Sequence, residues 1–127
     1  MSIILAIISM PSRADVWWYV ASVDGGTDFY LSPSFAKQPQ LLPNIVRAWS
    51  LWNSTEPNEQ AESSSKFLHD YDCMAEAWRP VHYQTFEKPM GTGALLTDYV
   101  PKNPTWDRIP EETAASQLLK VVCHGFN

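Results

Sequence analysis

The chain contains two cysteines, Cys73 in its middle and Cys123 near its C-terminal end, and their chemistry depends on where the chain folds. In an oxidising compartment two such cysteines normally form a disulfide, whereas in the cytosol they stay reduced. A bond between them would stabilise the fold by about 4 kcal/mol, and it would hold the end of the chain against its middle. The alternative is a pair of buried free thiols, which is favoured if the chain is not exported.

The N-terminus bears on that choice. Residues 3–8 (IILAII) are apolar, but the run is far shorter than the ~20 residues of a membrane-spanning helix. Ser12 and Ala14 are small residues at the −3 and −1 positions of a signal-peptidase site, although no Lys or Arg precedes the apolar run. We therefore predict that residues 1–14 are a signal peptide whose start is clipped or lies upstream. The alternative is a buried strand, which the β-branched isoleucines would also suit.

Length and charge limit the class of protein. A chain of 127 residues fits one domain, which we place at residues 15–127. The net charge is −5, and Lys and Arg form no cluster. Nucleic acid and anionic membrane surfaces are therefore excluded as partners, because both require a basic surface. Six Trp, five Tyr and five Phe supply bulky side chains for a core.

Hydrophobic patterning predicts strands separated by turns. From Cys73 to Tyr83 the odd positions form a set suited to lie under a packed element, and the even positions are more polar. Pro80 indicates a bend or an edge at that point. Residues 53–65 are polar and unpatterned, which predicts a mobile loop. The predicted strands are residues 17–23, 28–31 and 45–52, one or more within 67–86, and 94–100, with turns at 24–26 and 90–93.

The C-terminal residues 110–123 are predicted to form a helix. Pro110 suits its first position and Gly125 is placed to end it. Apolar residues recur at helical spacing on one face, and Cys123 falls on that face, which should pack on the sheet that carries Cys73. The predicted fold is thus α+β: an antiparallel sheet of about five to six strands with a C-terminal helix packed on one face and tied by a disulfide. The apolar positions of the helix are Ala115, Leu118, Leu119 and Val122.

The order of several short motifs resembles the surface-adhesin protein E family of Gram-negative bacteria. The motifs are Arg47-Ala48-Trp49, Tyr71-Asp72-Cys73, Tyr83, Met90-Gly91-Thr92-Gly93, Trp106, Ile109-Pro110 and a final helix ending in Cys123. The resemblance covers residues 17–123. It implies an antiparallel sheet with a helix clamped by the disulfide, attachment to host matrix or plasma proteins, and pairing of two copies as an option. No cysteine near residue 14 offers a lipid anchor, so the periplasm stands beside the cell surface and secretion as a location.

Residues 69–72 (HDYD) could suggest a metal site. In a strand, however, His69 and Tyr71 share one side while Asp70 and Asp72 share the other, so the ligands would not converge. No second cluster of ligands is present in the sequence, whereas zinc needs about four ligands and hard cations need several oxygens. We predict a solvated polar edge, with no metal and no cofactor.

Catalytic alternatives are weak. His82 with Ser50 or Ser64 and an aspartate could form a triad, but no nucleophile elbow is present. Cys73 as a nucleophile would compete with its pairing to Cys123. The segment Gly91-Thr92-Gly93 lacks the Lys-Ser/Thr of a phosphate-binding loop and is predicted to be a turn. We predict that the protein is not an enzyme.

The tryptophans are the main candidates for a binding surface. Trp49 and Trp106 are predicted to be core residues, but adjacent residues such as Trp17 and Trp18 point to opposite sides of a strand and cannot both be buried. Interfaces favour Trp, Tyr and Arg as anchors. Cover by the proline-rich stretch or a homodimer contact is the alternative. The candidate partner-binding residues are Trp18, Trp52, Trp78 and Arg79.

The predicted function is that of an exported, non-enzymatic binding domain for another protein, using a sheet face or the loop at residues 53–65. A periplasmic structural or stress-related protein without an adhesive role is the alternative, and a small enzyme with an unrecognised site is the least favoured. An exposed aromatic patch would favour the first, a polar or self-complementary surface the second, and a deep pocket with a perturbed histidine the third.

Overall fold

The computed structural model describes residues 16–23, 25–34, 36–37, 43–54 and 56–125. The predicted signal peptide at residues 1–14 lies outside them. The strands are β1 (Trp18–Val23), β2 (Thr27–Leu31), β3 (Ala36–Lys37), β4 (Ile45–Ser54), β5 (Ser64–Asp72), β6 (Ala77–Lys88), β7 (Thr92–Tyr99) and β8 (Asp107–Arg108). A 3-10 turn spans Pro89–Gly91, and the helix α1 spans Ala114–His124.

The strands form one antiparallel sheet. Its order is β1-β2-β4-β5-β6-β7, and the two-residue strands β3 and β8 pair with β4 and β6. The predicted antiparallel sheet with a C-terminal helix is therefore confirmed. Among the described residues, no helix combines the length and apolar character needed to cross a membrane.

Side chains alternate between two sides of this sheet. Ala48 lies opposite His69 across β4 and β5, and Val46 lies opposite Tyr71, so these residues share a side. We call it the core side, because Ala48 and Tyr71 belong to the main buried cluster. The opposite side carries Arg47, which lies across from Asp70, and we call it the ion-pair side.

The buried cluster joins the sheet to the helix. Each buried aliphatic or aromatic side chain contributes about 1.5–3 kcal/mol relative to an exposed one, so this contact supplies much of the stability of the C-terminal part. Its sheet members are Phe29, Leu31, Ala48 and Tyr71, its helix members are Leu118, Leu119 and Val122, and Ile109 lies with them.

The disulfide joins Cys73, directly after β5, to Cys123 in the last turn of α1, with a Cα–Cα distance of 5.7 Å. The pairing proposed from the sequence is therefore present, and the free-thiol alternative is wrong.

The helix begins later than predicted. Thr113 is its N-cap: the Thr113 hydroxyl accepts from the Ser116 N–H at 3.1 Å, and the Ser116 hydroxyl accepts from the Thr113 N–H at 3.1 Å. Pro110 lies before the helix, because the helix begins where this reciprocal cap satisfies the backbone N–H groups of Thr113 and Ser116. Gly125 ends the helix as predicted, and its N–H donates to the Val121 carbonyl at 2.7 Å.

A turn interrupts the alternation predicted from Cys73 onward. The Asp72 carboxylate accepts the backbone N–H groups of Met74 and Ala75, both at 3.0 Å. These bonds replace strand pairing and send the chain back as β6. The even–odd pattern is therefore valid only from Ala77, where the new strand begins. The loop predicted at residues 53–65 is also shorter, since β4 continues to Ser54 and β5 begins at Ser64.

Candidate functional site

Aromatic rings from three adjacent strands form a row on the core side of the sheet. The rings of Trp52 on β4 and Phe67 on β5 have centroids 4.3 Å apart, and those of Phe67 and Tyr83 on β6 are 4.7 Å apart. All three side chains are half-buried. Phe67 lies directly across from Tyr83, whereas Trp52 contacts Phe67 diagonally, because the β4 residue across from Phe67 is Ser50. Such contacts stabilise rings beyond their buried area.

A second pair of rings extends the row. His69 stacks on Trp78 with centroids 4.0 Å apart and planes 8° from parallel. The Trp78 ring also lies 6.4 Å from that of Trp52, and the His69 ring 5.6 Å from that of Phe67. We call Trp52, Phe67, His69, Trp78 and Tyr83 the aromatic array.

The array is held rigidly. The Trp52 indole N–H donates to the Ser50 hydroxyl at 3.1 Å, and the Trp52 ring contacts Phe29 of the buried cluster at 5.0 Å. Each ring is anchored on a strand with neighbours on both sides. The array therefore presents a pre-organised, partly exposed aromatic surface, which loses little conformational entropy on binding.

His69 behaves as an uncharged aromatic ring. It is 5% exposed, and its Nδ1 atom has no hydrogen-bond partner among the described residues. Burial lowers the pKa of His69 to about 4, and nearby Asp70 opposes that shift only in part. The imidazole is therefore neutral near pH 7 and can stack on Trp78 without a counter-ion. In the described part of the chain, no three His, Cys, Asp or Glu side chains are grouped as metal ligands.

The ion-pair side carries a charged triad at the same level of β5. The Arg47 guanidinium donates to the Asp70 carboxylate through Nε at 2.7 Å and Nη2 at 3.2 Å, and Arg79 donates through Nε at 3.0 Å. The Asp70 side chain is 0% exposed. Its hydrogen bond to Arg47 raises the pKa of that guanidinium. The prediction of a solvated polar edge at residues 69–72 is therefore wrong, because β5 lies in the middle of the sheet.

Trp106 was predicted to be a core residue, but it is 39% exposed. It precedes the short strand β8 at the margin of the sheet, and the Arg79 guanidinium carbon lies 4.7 Å from its ring centroid. The ring covers one arginine of the triad through a cation–π contact.

The structure separates the four residues predicted to bind a partner. Trp52 and Trp78 come together in the aromatic array. Trp18 lies on the edge strand β1, where it is 46% exposed and pairs with Leu31. Arg79 points to the ion-pair side. Phe67 and Tyr83 are not among the residues predicted to bind, although the alternation of large residues at 67, 69 and 71 indicates one side of a strand.

His82, Ser50 and Ser64 do not form a catalytic triad. His82 is hydrogen-bonded to the exposed Asp98, and that bond lowers the pKa of the carboxyl. The Ser50 hydroxyl accepts from Trp52 on the core side, and the Ser64 hydroxyl donates to the Lys88 carbonyl at 2.6 Å. Neither serine is bonded to His82, so the arrangement required for nucleophilic catalysis is absent from these residues.

Comparison with known proteins gives the following matches. The family model described as surface-adhesin protein E matches residues 17–124. Crystal form II of Haemophilus influenzae protein E is similar with a TM-score of 0.61 and 15% identity, covering 84% of this chain and 86% of that chain. The Se-Met form has a TM-score of 0.60 and 17% identity, with coverage of 85% and 87%. At these identities the structures show the fold alone. No curated protein sequence matches the chain.

Proposed function

The chain belongs to the surface-adhesin protein E family, and on that premise we propose that it is an exported, non-enzymatic domain that binds another protein through the aromatic array. The observation that carries the proposal is the row of partly buried rings of Trp52, Phe67 and Tyr83, continued by Trp78. Trp52 and Trp78 also pack against the buried cluster, which holds them in place. Aromatic side chains dominate the energetic centres of protein interfaces.

The array has the physical properties of a binding anchor. Its rings lie on paired strands, so a partner would not have to order them. His69 is neutral because its pKa is about 4, so the surface can be covered by apolar groups without burying a charge. We propose host matrix or plasma proteins as the partner class, on the strength of the family.

The four predicted anchors then have different roles. Trp52 and Trp78 belong to the proposed contact. Trp18 lies on the edge strand β1, two strands away from Trp52, and is a candidate for a peripheral contact. Arg79 already bonds to Asp70, so we propose that it acts in binding mainly by holding Trp106 and β6 in place.

Tyr83→Ala tests the proposal, with Tyr19→Ala as a matched control. Tyr83 contacts Phe67 in the array, whereas Tyr19 is an exposed tyrosine that contacts Tyr30 away from it. The measurement is surface plasmon resonance over immobilised basement-membrane extract and plasma proteins. We expect Tyr83→Ala to weaken binding about 30-fold, the effect of a 2 kcal/mol anchor, and Tyr19→Ala to have little effect. Equal binding by both variants and the wild type would contradict the proposal.

Export is part of the same proposal. The Cys73–Cys123 disulfide supports an oxidising compartment, and we propose that residues 1–14 are removed to leave the adhesin-E-like domain of residues 15–127. Cell fractionation with intact-mass measurement tests both points. A cytosolic protein that keeps residues 1–14 and two free thiols would overturn the export proposal. Confinement to the periplasm would favour the alternative of a structural protein without an adhesive role.

Pairing of two copies has its own structural support. β7 lies at one end of the strand order, and it carries the exposed residues Leu95, Leu96 and Tyr99. An exposed apolar edge strand is a template for pairing with another strand. We propose that a second copy pairs there in an antiparallel manner. Light scattering should give the mass of a dimer, and Leu96→Lys should reduce it to that of a monomer; a monomeric wild type would exclude this pairing.

A further inference from the structure

A small cavity lies on the ion-pair side, away from the aromatic array. Its volume is about 210 Å³, and it is lined by Trp17, Ser32, Trp49, Lys66 and Gln84. Pockets for drug-sized ligands measure about 300–1,000 Å³. This cavity is therefore suited to a group of the size of a single amino-acid side chain.

The ammonium group of Lys66 has no ion pair and no hydrogen bond within the described residues. Its Nζ atom lies over two aromatic rings, 5.6 Å from the centroid of Trp17 and 4.9 Å from that of Phe86. The carboxylate of Asp98 accepts hydrogen bonds from His82 and Gln84 and makes no ion pair with Lys66. In a chain with a net charge of −5, a half-buried lysine without an acidic partner is a free site for an anion.

The backbone next to the cavity makes room for this lysine. A Cβ atom on Gly91 would lie 2.5 Å from Cε of Lys66, and Gly91 adopts φ of +67°. A side chain at position 91 would displace the flexible end of the Lys66 side chain, and it would be strained in that backbone conformation. Lys66 thus lies between Gly91 on one side and the aromatic rings on the other.

We propose that this cavity binds a carboxylate attached to an apolar group of single side-chain size. The indoles of Trp17 and Trp49 would contact the apolar group, and Lys66 would pair with the carboxylate in a charge-assisted hydrogen bond. Two sources share this chemistry: a free aromatic or branched carboxylic acid, and the C-terminal residue of a peptide. The site is independent of the aromatic array, which faces the other side of the sheet.

Heteronuclear NMR titration tests the proposal with two pairs of probes in the millimolar range. The pairs are phenylacetate with phenylacetamide, and N-acetylphenylalanine with its amide; each pair differs only in the carboxylate. We expect both acids to shift the indole N–H signals of Trp17 and Trp49, and to bind about tenfold more tightly than the amides. Tighter binding of N-acetylphenylalanine than of phenylacetate identifies a peptide C-terminus as the source, and the reverse order identifies a free acid.

Two variants make the test specific. Lys66→Met keeps the unbranched stem and should abolish the preference for acids over amides, whereas Lys102→Met removes the same charge from an exposed loop and should preserve it. If Lys66→Met does not fold, Trp17→Ala is the substitute. It removes one side chain that lines the cavity, at a position that precedes β1, and it should weaken the binding of both acids. The proposal would be overturned if the wild type bound acid and amide equally, or if Lys66→Met kept the preference for acids. It would also be overturned if the NMR signals that shift belonged only to residues of the aromatic array.

Discussion

His69 and Asp70 are consecutive residues of β5, both almost fully buried, and they point to opposite sides of the sheet. On the core side, His69 is stacked on Trp78 and its Nδ1 atom has no partner among the described residues. On the ion-pair side, Asp70 receives hydrogen bonds from two arginines. Histidine can be buried alone because it can lose its proton, whereas a buried aspartate at neutral pH is retained by pairing its charge.

The two sides of the sheet therefore differ in kind. The core side carries the neutral aromatic array, which is suited to contact with a partner. The ion-pair side locks β4, β5 and β6 together through one carboxylate. If this assignment is correct, substitutions at the triad should change stability, and substitutions at the array should change binding.

The largest expected effect is that of Asp70→Asn. The substitution leaves two guanidinium groups without their shared carboxylate, so we expect the free energy of unfolding to fall by about 3 kcal/mol. Urea unfolding measures this change. The control is Asp107→Asn, which alters an exposed carboxylate on β8 and should leave the midpoint nearly unchanged. A loss at Asp70 no larger than that of the control would show that the triad does not stabilise the sheet.

Acidification should have a smaller effect, acting through His69. The pKa of this group is lowered from 6.5 to about 4, so the unfolded chain binds the proton more tightly. The resulting stability is present above pH 6.5 and is lost as the pH falls toward 4, by about 2–3 kcal/mol. The measurement is the difference in urea stability between the wild type and His69→Phe, which keeps the stacking on Trp78 but does not titrate. A difference that stays constant with pH would contradict the assignment of His69 as a buried neutral ring.

The smallest effect is predicted for Arg79→Lys. A lysine retains the charge near Asp70 but loses the guanidinium group that lies over the Trp106 ring, so the free energy of unfolding should fall by about 1 kcal/mol. Arg108→Lys, on the exposed strand β8, is the matched control and should change little. If both variants unfold at the same urea concentration, the contact with Trp106 contributes nothing measurable.

Part of this arrangement could be predicted from local patterns. Alternation in residues 69–72 correctly assigned His69 and Tyr71 to one side and Asp70 to the other, because strand geometry depends on neighbouring residues alone. Gly125 was correctly identified as the end of the helix. The predicted start of the helix is wrong because Pro110 and Thr113 are both acceptable starts, and the hydrogen bonds between Thr113 and Ser116 favour Thr113.

The sequence by itself determined which residues are available: two cysteines that can pair with each other, aromatic residues at alternating positions, and a helix ended by glycine. Tertiary structure decided that β5 lies in the middle of the sheet, which buries Asp70 and brings Arg47 and Arg79 to it. It also decided that Trp52, Phe67 and Tyr83 form one row, and that Trp106 is exposed over Arg79. Both outcomes depend on the register between strands that are far apart in the chain, and register is set by the packing of the whole sheet and helix, not by local preference.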